Sequence, residues 1–168
     1  MLALCFFGRV LMRTVIKSPT ECSALELDTF ERMTNEGGQV SPLGLRTRIE
    51  QAEKLIFIWR GEACVAIAGL KNPVQTYKTK VFKAAGMANQ IGEYKFEIGY
   101  LYANVKGVGN HLMQGVLDAS EGSITFATTQ DTNAVMQHLL PKFGFRKLGD
   151  SYLNNKKEYY LGLFGNET

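Results

Sequence analysis

The sequence predicts an α/β domain built on a mixed sheet with helices on both faces. Three observations predict it. Apolar runs of β type alternate with runs at helical spacing, in the order helices, a meander of strands, then strand–helix–strand–helix–strand–strand. A glycine-rich turn hands one buried strand over to an amphipathic helix. The composition, 45% hydrophobic, 11% aromatic and 21% charged over 168 residues, is that of one ordinary globular domain.

Each element has its own signal. The opening stretch Met1–Met12, MLALCFFGRVLM, is apolar but too short to span a bilayer. It lacks a basic region ahead of the apolar run and an A-x-A-like cleavage site. Residues 1–12 therefore read as a non-native or disordered leader, with Met12 an alternative start, ahead of a single cytoplasmic domain. A short strand at Thr14–Lys17 precedes Ser18-Pro19-Thr20, a helix-start signal with Glu21 in the first turn. Leu27, Phe30 and Met33 then share a helical face, and Gly37-Gly38 stops the run. A second helix is expected from Ser41-Pro42 through Leu45 and Ile49 to about Ala52. Lys54–Arg60 and Ala63–Leu70, separated by Gly61-Glu62, read as a hairpin of two buried strands. Asn72–Tyr94 is a less regular insertion, with a short helix around Thr79–Ala88 and Lys78, Lys80 and Lys83 on a solvated face.

Phe96–Ala103, FEIGYLYA, is the next strand, and Val108, Leu112, Met113, Val116 and Leu117 recur behind it at helical spacing. Ser123–Thr128 is a strand, and Asp131–Phe143 a helix burying Val135, Met136, Leu139, Leu140 and Phe143. Phe145–Leu148 and Glu158–Phe164 close the sheet. The total is six or seven strands flanked by about four helices.

Several function classes recede on these grounds. A net charge of +3 is far below the concentrated basic surface of a nucleic-acid binder. The cysteines Cys5, Cys22 and Cys64 are widely spaced with no CxxC pair, and only His111 and His138 could join them, so no metal site is expected. No sequence feature pairs a cysteine with a histidine for nucleophilic work. Trp59 and Tyr159-Tyr160 read as sheet packing.

The most informative stretch is Asn104-Val105-Lys106-Gly107-Val108-Gly109-Asn110-His111. Gly107 and Gly109 let the backbone bend sharply and a ligand approach its amides. Free N–H groups of the first helical turn, with the helix dipole, favour an anion there, and Lys106 adds a charge. Residue 112 is Leu, so the dinucleotide fingerprint GxGxxG fails, and GxxxxGK[ST] is absent too. On its own the turn leaves open a phosphate site or simply a tight bend.

In its whole arrangement the chain resembles the GNAT N-acetyltransferases. Their pyrophosphate loop reads [Q/R]-x-x-G-x-[G/A]; here Asn104-Val-Lys-Gly107-Val-Gly109 matches both glycines, with Asn in the first position. A second block agrees: the strand Ile124–Thr128, then Asn133, then a helix ending in Gly144-Phe145. The Tyr77…Val81-Phe82…Ala85-Gly86 insertion is similar to that of an uncharacterised bacterial branch. The resemblance implies a mostly antiparallel sheet in which the Phe96–Ala103 strand splays from its neighbour. It implies backbone groups of Leu101, Tyr102 and Ala103 along the pantetheine arm of acetyl-CoA. The amides of Lys106, Gly107, Val108, Gly109, Asn110 and His111 would lie around the pyrophosphate, with Asn133 against the cofactor.

The reaction so implied is acetyl transfer from acetyl-CoA to a primary amine. An ammonium has no lone pair, so a base must take a proton, and Glu97 is the candidate, directly or through water. A salt-bridged or solvent-facing role for Glu97 stays open. Many family members carry a tyrosine seven residues after the asparagine as general acid; this chain has Leu140 there, followed by Pro141. Tyr100, Tyr102 and His138 are the alternatives. The substitution also motivates a second reading, a non-catalytic acyl-CoA-binding or interaction module. Neither nucleic acid nor membrane is an expected partner, and strand pairing into a homodimer is compatible with the pattern.

Overall fold

A computed structural model describes residues 11–166. Cys5 and all but the last two residues of the apolar leader lie outside that range. The chain runs β1 (Met12–Lys17), α1 (Ala24–Gly37), α2 (Leu45–Glu50), β2 (Lys54–Arg60), β3 (Ala63–Lys71), α3 (Gln75–Ala84), β4 (Phe96–Ala103), α4 (Gly109–Ser120), β5 (Thr125–Gln130), α5 (Ala134–Lys142), β6 (Phe145–Leu153) and β7 (Tyr160–Asn166). The strands form one seven-stranded sheet in the order β1-β2-β3-β4-β5-β7-β6. Only β4 and β5 run parallel; the other neighbours are antiparallel.

The two faces explain the sequence pattern. On β2, Leu55 and Phe57 pack under α1 and α2 with Phe30, Leu45, Ile49 and Ile67. Ile56 and Ile58 point the other way, beneath Leu112, Met113 and Val116 of α4. A strand covered on both faces reads as a continuous apolar run, as KLIFIWR does. A third cluster seats Val81 and Phe82 of α3 on Phe126 and Leu163.

Several expectations shift. Met12 already pairs with Arg60, so β1 starts two residues before Thr14 and takes in the end of the expected leader. Ser18-Pro19 opens only a short 3-10 turn, Pro19–Glu21. α1 starts at Ala24 on its own capping box, Glu26 N donating to Ser23 Oγ at 3.1 Å and Ser23 N to Glu26 Oε2 at 2.8 Å. α2 begins at Leu45, because Gly44 takes a left-handed conformation (φ 66°) that breaks the run from Pro42. α3 lies ahead of its expected place, and Lys78 is not solvated. It is 8% exposed and its ammonium donates to the Tyr94 carbonyl, while Lys80 and Lys83 do face water. On α5, Leu140 is fully buried but Val135 is 72% exposed. β6 extends to Leu153, past a bulge between Leu148 and Tyr152 that the short Phe145–Leu148 reading missed. Tyr159 and Tyr160 are 38% and 54% exposed instead of packed into the sheet.

Candidate active site at the parting of β4 and β5

β4 and β5 share only two pairs, Phe96 with Thr125 and Glu97 with Phe126. From Ile98 onward β4 keeps β3 on one side and has no strand on the other among the described residues, so the expected splay is present. A bulge sits at the same point. Gly69 faces Gly99 but Ile67 faces Tyr102, and Tyr100 takes a left-handed backbone (φ 57°). The extra residue resets the alternation. Phe96 and Ile98 belong to the α4 side, yet Tyr100 joins Phe30 and Phe57 on the α1 side.

Two glycines make room for this. A Cβ on Gly69 would stand 2.6 Å from the Tyr100 ring, and one on Gly99 would stand 2.6 Å from Lys71 Cδ. The aromatic ring and the lysine stem therefore lie flat on the sheet. Lys71 Nζ ends 5.0 Å above the Tyr100 ring and 3.6 Å from Glu97 Oε2.

Glu97 is 4% exposed. Its Oε1 accepts a 2.8 Å hydrogen bond from the Tyr77 hydroxyl of α3. Its Oε2 has no hydrogen-bond donor among the described residues. A buried carboxylate oxygen without a donor is costly, and such an orphan in a cleft marks a functional candidate. Tyr77 lies between the two arms of the splay, with Glu97 of β4 and the Thr128 side chain of β5 as neighbours. Burial, then the charge of Glu97, push its hydroxyl well above the ordinary tyrosine value. Tyr152 of β6 is raised for the same two reasons, and its buried hydroxyl also has no hydrogen-bond partner among the described residues.

Tyr77 lines two cavities. One, about 290 Å³, lies toward α2 and includes Arg48, Lys71, Glu97 and Tyr100. The other, about 470 Å³, lies toward the β6–β7 hairpin and includes Thr128, Tyr152 and Tyr159. The residue as a whole is 39% exposed because its ring faces both.

Beyond the open edge of β4 comes the glycine turn. Leu101 and Tyr102 are half-buried and Ala103 exposed. Gly107 has φ 84°, with nothing within 4 Å of the place a Cβ would occupy. Gly109 begins α4, and a Cβ there would stand in ordinary contact, 3.4 Å, with Leu139 of α5. The first glycine is thus favoured by conformation, whereas the second position also has room for alanine. Val108, at the N-cap, is buried and has no side-chain acceptor, so Gly109, Asn110 and His111 carry no side-chain cap. Lys106, Gly107, Asn110 and His111 are exposed around it. Asn133 caps α5, its Oδ1 accepting from Met136 N at 3.2 Å, which leaves its NH₂ group as the donor a ligand would meet.

Other groups fall away. Leu140 is sealed in the core, so nothing there gives a proton. His138 and His111 are exposed. Burial lifts the Cys64 thiol to about 11, and its sulfur donates to the Ala66 carbonyl, which makes it a poor nucleophile. Among the described residues no His, Cys, Asp and Glu cluster could hold a metal ion, and no helix is long and apolar enough to cross a membrane.

A seven-stranded sheet parted between its one parallel pair, with an uncapped glycine turn at the mouth, is the GNAT acyl-CoA N-acyltransferase fold. Solved structures of that fold superpose over nearly the whole chain. An acyl-CoA N-acyltransferase from Pseudomonas aeruginosa matches with TM-score 0.68 at 17% identity, covering 94% of this chain and 100% of its own. FeeM, an N-acyl amino acid synthase from uncultured soil microbes, gives 0.66 at 15%, covering 93% and 91%. The ribosomal-protein-S18-alanine N-acetyltransferase of Escherichia coli gives 0.61 at 11%, covering 92% and 93%. No family model matches the sequence, and the search of curated proteins matches none.

Proposed function

We propose that this chain is an N-acetyltransferase that moves an acetyl group from acetyl-CoA to a primary amine by direct attack. One observation carries the reading: a buried carboxylate, Glu97, with one oxygen held and the other unpartnered, at the point where β4 and β5 separate. The chain's own residues suit an acyl-CoA. The left-handed Gly107 opens into free space, and the uncapped first-turn amides of α4 suit a pyrophosphate. The unpaired edge of β4 at Leu101, Tyr102 and Ala103 suits an extended pantetheine arm, which would bond there as an added strand. The fold is shared with N-acyltransferases, which supports the same class of chemistry.

Each chemical role has a residue. The thioester supplies the acetyl group. Glu97 Oε2, directly or through water, takes the proton from the acceptor amine, and Tyr77 keeps Oε1 in place while it does so. Burial keeps the Tyr77 hydroxyl protonated at neutral pH, so it stays a donor to Glu97 Oε1. The proton that Glu97 takes passes through water to the departing thiolate, so amine plus thioester gives amide plus thiol. No acyl-enzyme is involved, and acceptor and acetyl-CoA are bound together.

Mass spectrometry of an amine panel with acetyl-CoA tests the reading. Glu97→Gln is expected to lower kcat by about a hundredfold or more while acetyl-CoA binds as before. The buried Leu140 motivates a second reading, an acyl-CoA-binding module without turnover. Tight binding, no transfer to any amine and no effect of Glu97→Gln would select it.

A further inference from the structure

We infer that the cavity of about 290 Å³ beside Glu97 is the acceptor site, and that its acceptor is a small zwitterion: a primary amine that also carries a carboxylate, of amino-acid type. This rests on the acetyl-transfer reading and names its acceptor.

The cavity is built around one buried orphan. Glu97, 95% buried by its side chain, lines this space with Lys71 and Arg48, and its Oε2 has no hydrogen-bond donor among the described residues. An acceptor's N–H reaching that oxygen would supply the donor it lacks. The rest of the charge is of the other sign. Lys71 Nζ stands 3.6 Å from Glu97 Oε2, which balances the carboxylate before any ligand arrives. Arg48 is then in excess. It has no carboxylate partner among the described ion pairs. Its Nη2 donates to the Ser41 carbonyl at 2.5 Å and the Leu43 carbonyl at 3.1 Å. These two bonds fix the guanidinium plane but use one nitrogen, leaving the Nη1 and Nε hydrogens as donors.

Charge arithmetic selects the ligand. A simple alkylammonium entering this space adds a second surplus positive charge beside Lys71 and Arg48. A zwitterion adds none, and its carboxylate satisfies the guanidinium in the fork geometry arginine favours. The same cations oppose an ammonium and favour the neutral amine that attack requires. Size points the same way. A cavity of about 290 Å³ is at the lower end for small-molecule sites and takes one amino acid, not a folded polypeptide segment.

The test measures kcat/KM with acetyl-CoA for matched trios: an amino acid, its carboxamide and its decarboxylated amine, across aliphatic, aromatic, polar and charged side chains. The enzyme is compared with Arg48→Gln and Arg48→Lys. The expected result is that, for the best side chain, the acid exceeds both relatives by about 10- to 100-fold, through KM. That advantage collapses to within about twofold in Arg48→Gln and returns in part in Arg48→Lys. An amide or amine used as well as the acid overturns the proposal, as does an Arg48→Gln defect equal across the trio. Calorimetry in the presence of coenzyme A separates this failure from failure of the underlying reading. Without turnover, one-to-one amino-acid binding that Arg48→Gln weakens upholds the acceptor site and removes the catalytic reading. Absence of such binding overturns the acceptor site itself.

Discussion

At the scale of single residues, the site is organised by what surrounds one carboxylate. Tyr77, Tyr100 and Tyr152 all have hydroxyls raised chiefly by burial, and the charge of Glu97 adds to each. The sign of the pH dependence follows. A tyrosine whose folded pKa lies above its unfolded value contributes stability that is intact below about pH 10 and lost as pH rises further. Thermal unfolding followed from pH 8 to 11.5 should show a midpoint that falls steeply above about pH 10. The fall should be shallower in Tyr77→Phe, and phenolate absorbance should rise with unfolding instead of before it. A midpoint that stays flat to pH 11 would contradict the burial of these groups. Glu97 was legible in the sequence because it is a charged residue in an apolar strand. Tyr77 was not, because its partner is twenty residues away and on another element. No local pattern records that contact. Tyr100 was read only as an alternative acid on a regular strand, since the bulge that turns it to the other face shows in the pairing register.

At the scale of elements, α3 decides where Tyr77 stands, and β6 decides where α3 stands. Gly149 lies in the β6 bulge with φ 64°, and a Cβ there would come within 1.9 Å of the Ala85 carbonyl at the end of α3. Asp150 N donates to that same carbonyl at 3.0 Å. Gly149→Ala should therefore push α3 off the sheet, costing about 3 kcal/mol or more in chemical denaturation and lowering kcat along with stability. Full stability with wild-type turnover would show that α3 does not depend on this seat. The helices of the glycine turn and of the Asn133 block were readable because glycine, asparagine caps and 3.6-residue spacing are local codes. The helix of the insertion was expected, but four residues late. It is polar on most of its surface, and the buried Lys78 hides its inner face behind a charge.

At the scale of the molecule, the sheet is two half-sheets joined by two residue pairs between β4 and β5. The larger half, β1 to β4, carries the α1–α2 core, and the smaller, β5, β7 and β6, carries α3. If acetyl-CoA occupies the parting, amides of β4 at residues 99–103 that face β5 should exchange quickly in the free protein. They should slow by about tenfold or more when coenzyme A is added, while β2 and β3 exchange alike in both states. Equal exchange with and without coenzyme A would remove the strand-like docking. The mixed sheet was readable from the alternation of elements, and the resemblance implied which two strands part, but the order β5-β7-β6 and the residue at which the parting begins depend on register, which sequence spacing does not contain. The position of Tyr77 between two cavities has a consequence for traffic. If acetyl transfer is the reaction, a ligand in the Arg48 cavity and one in the cavity toward the β6–β7 hairpin meet the same side chain from two directions. Turnover in such an arrangement has a single shared checkpoint, the phenol that divides the two rooms.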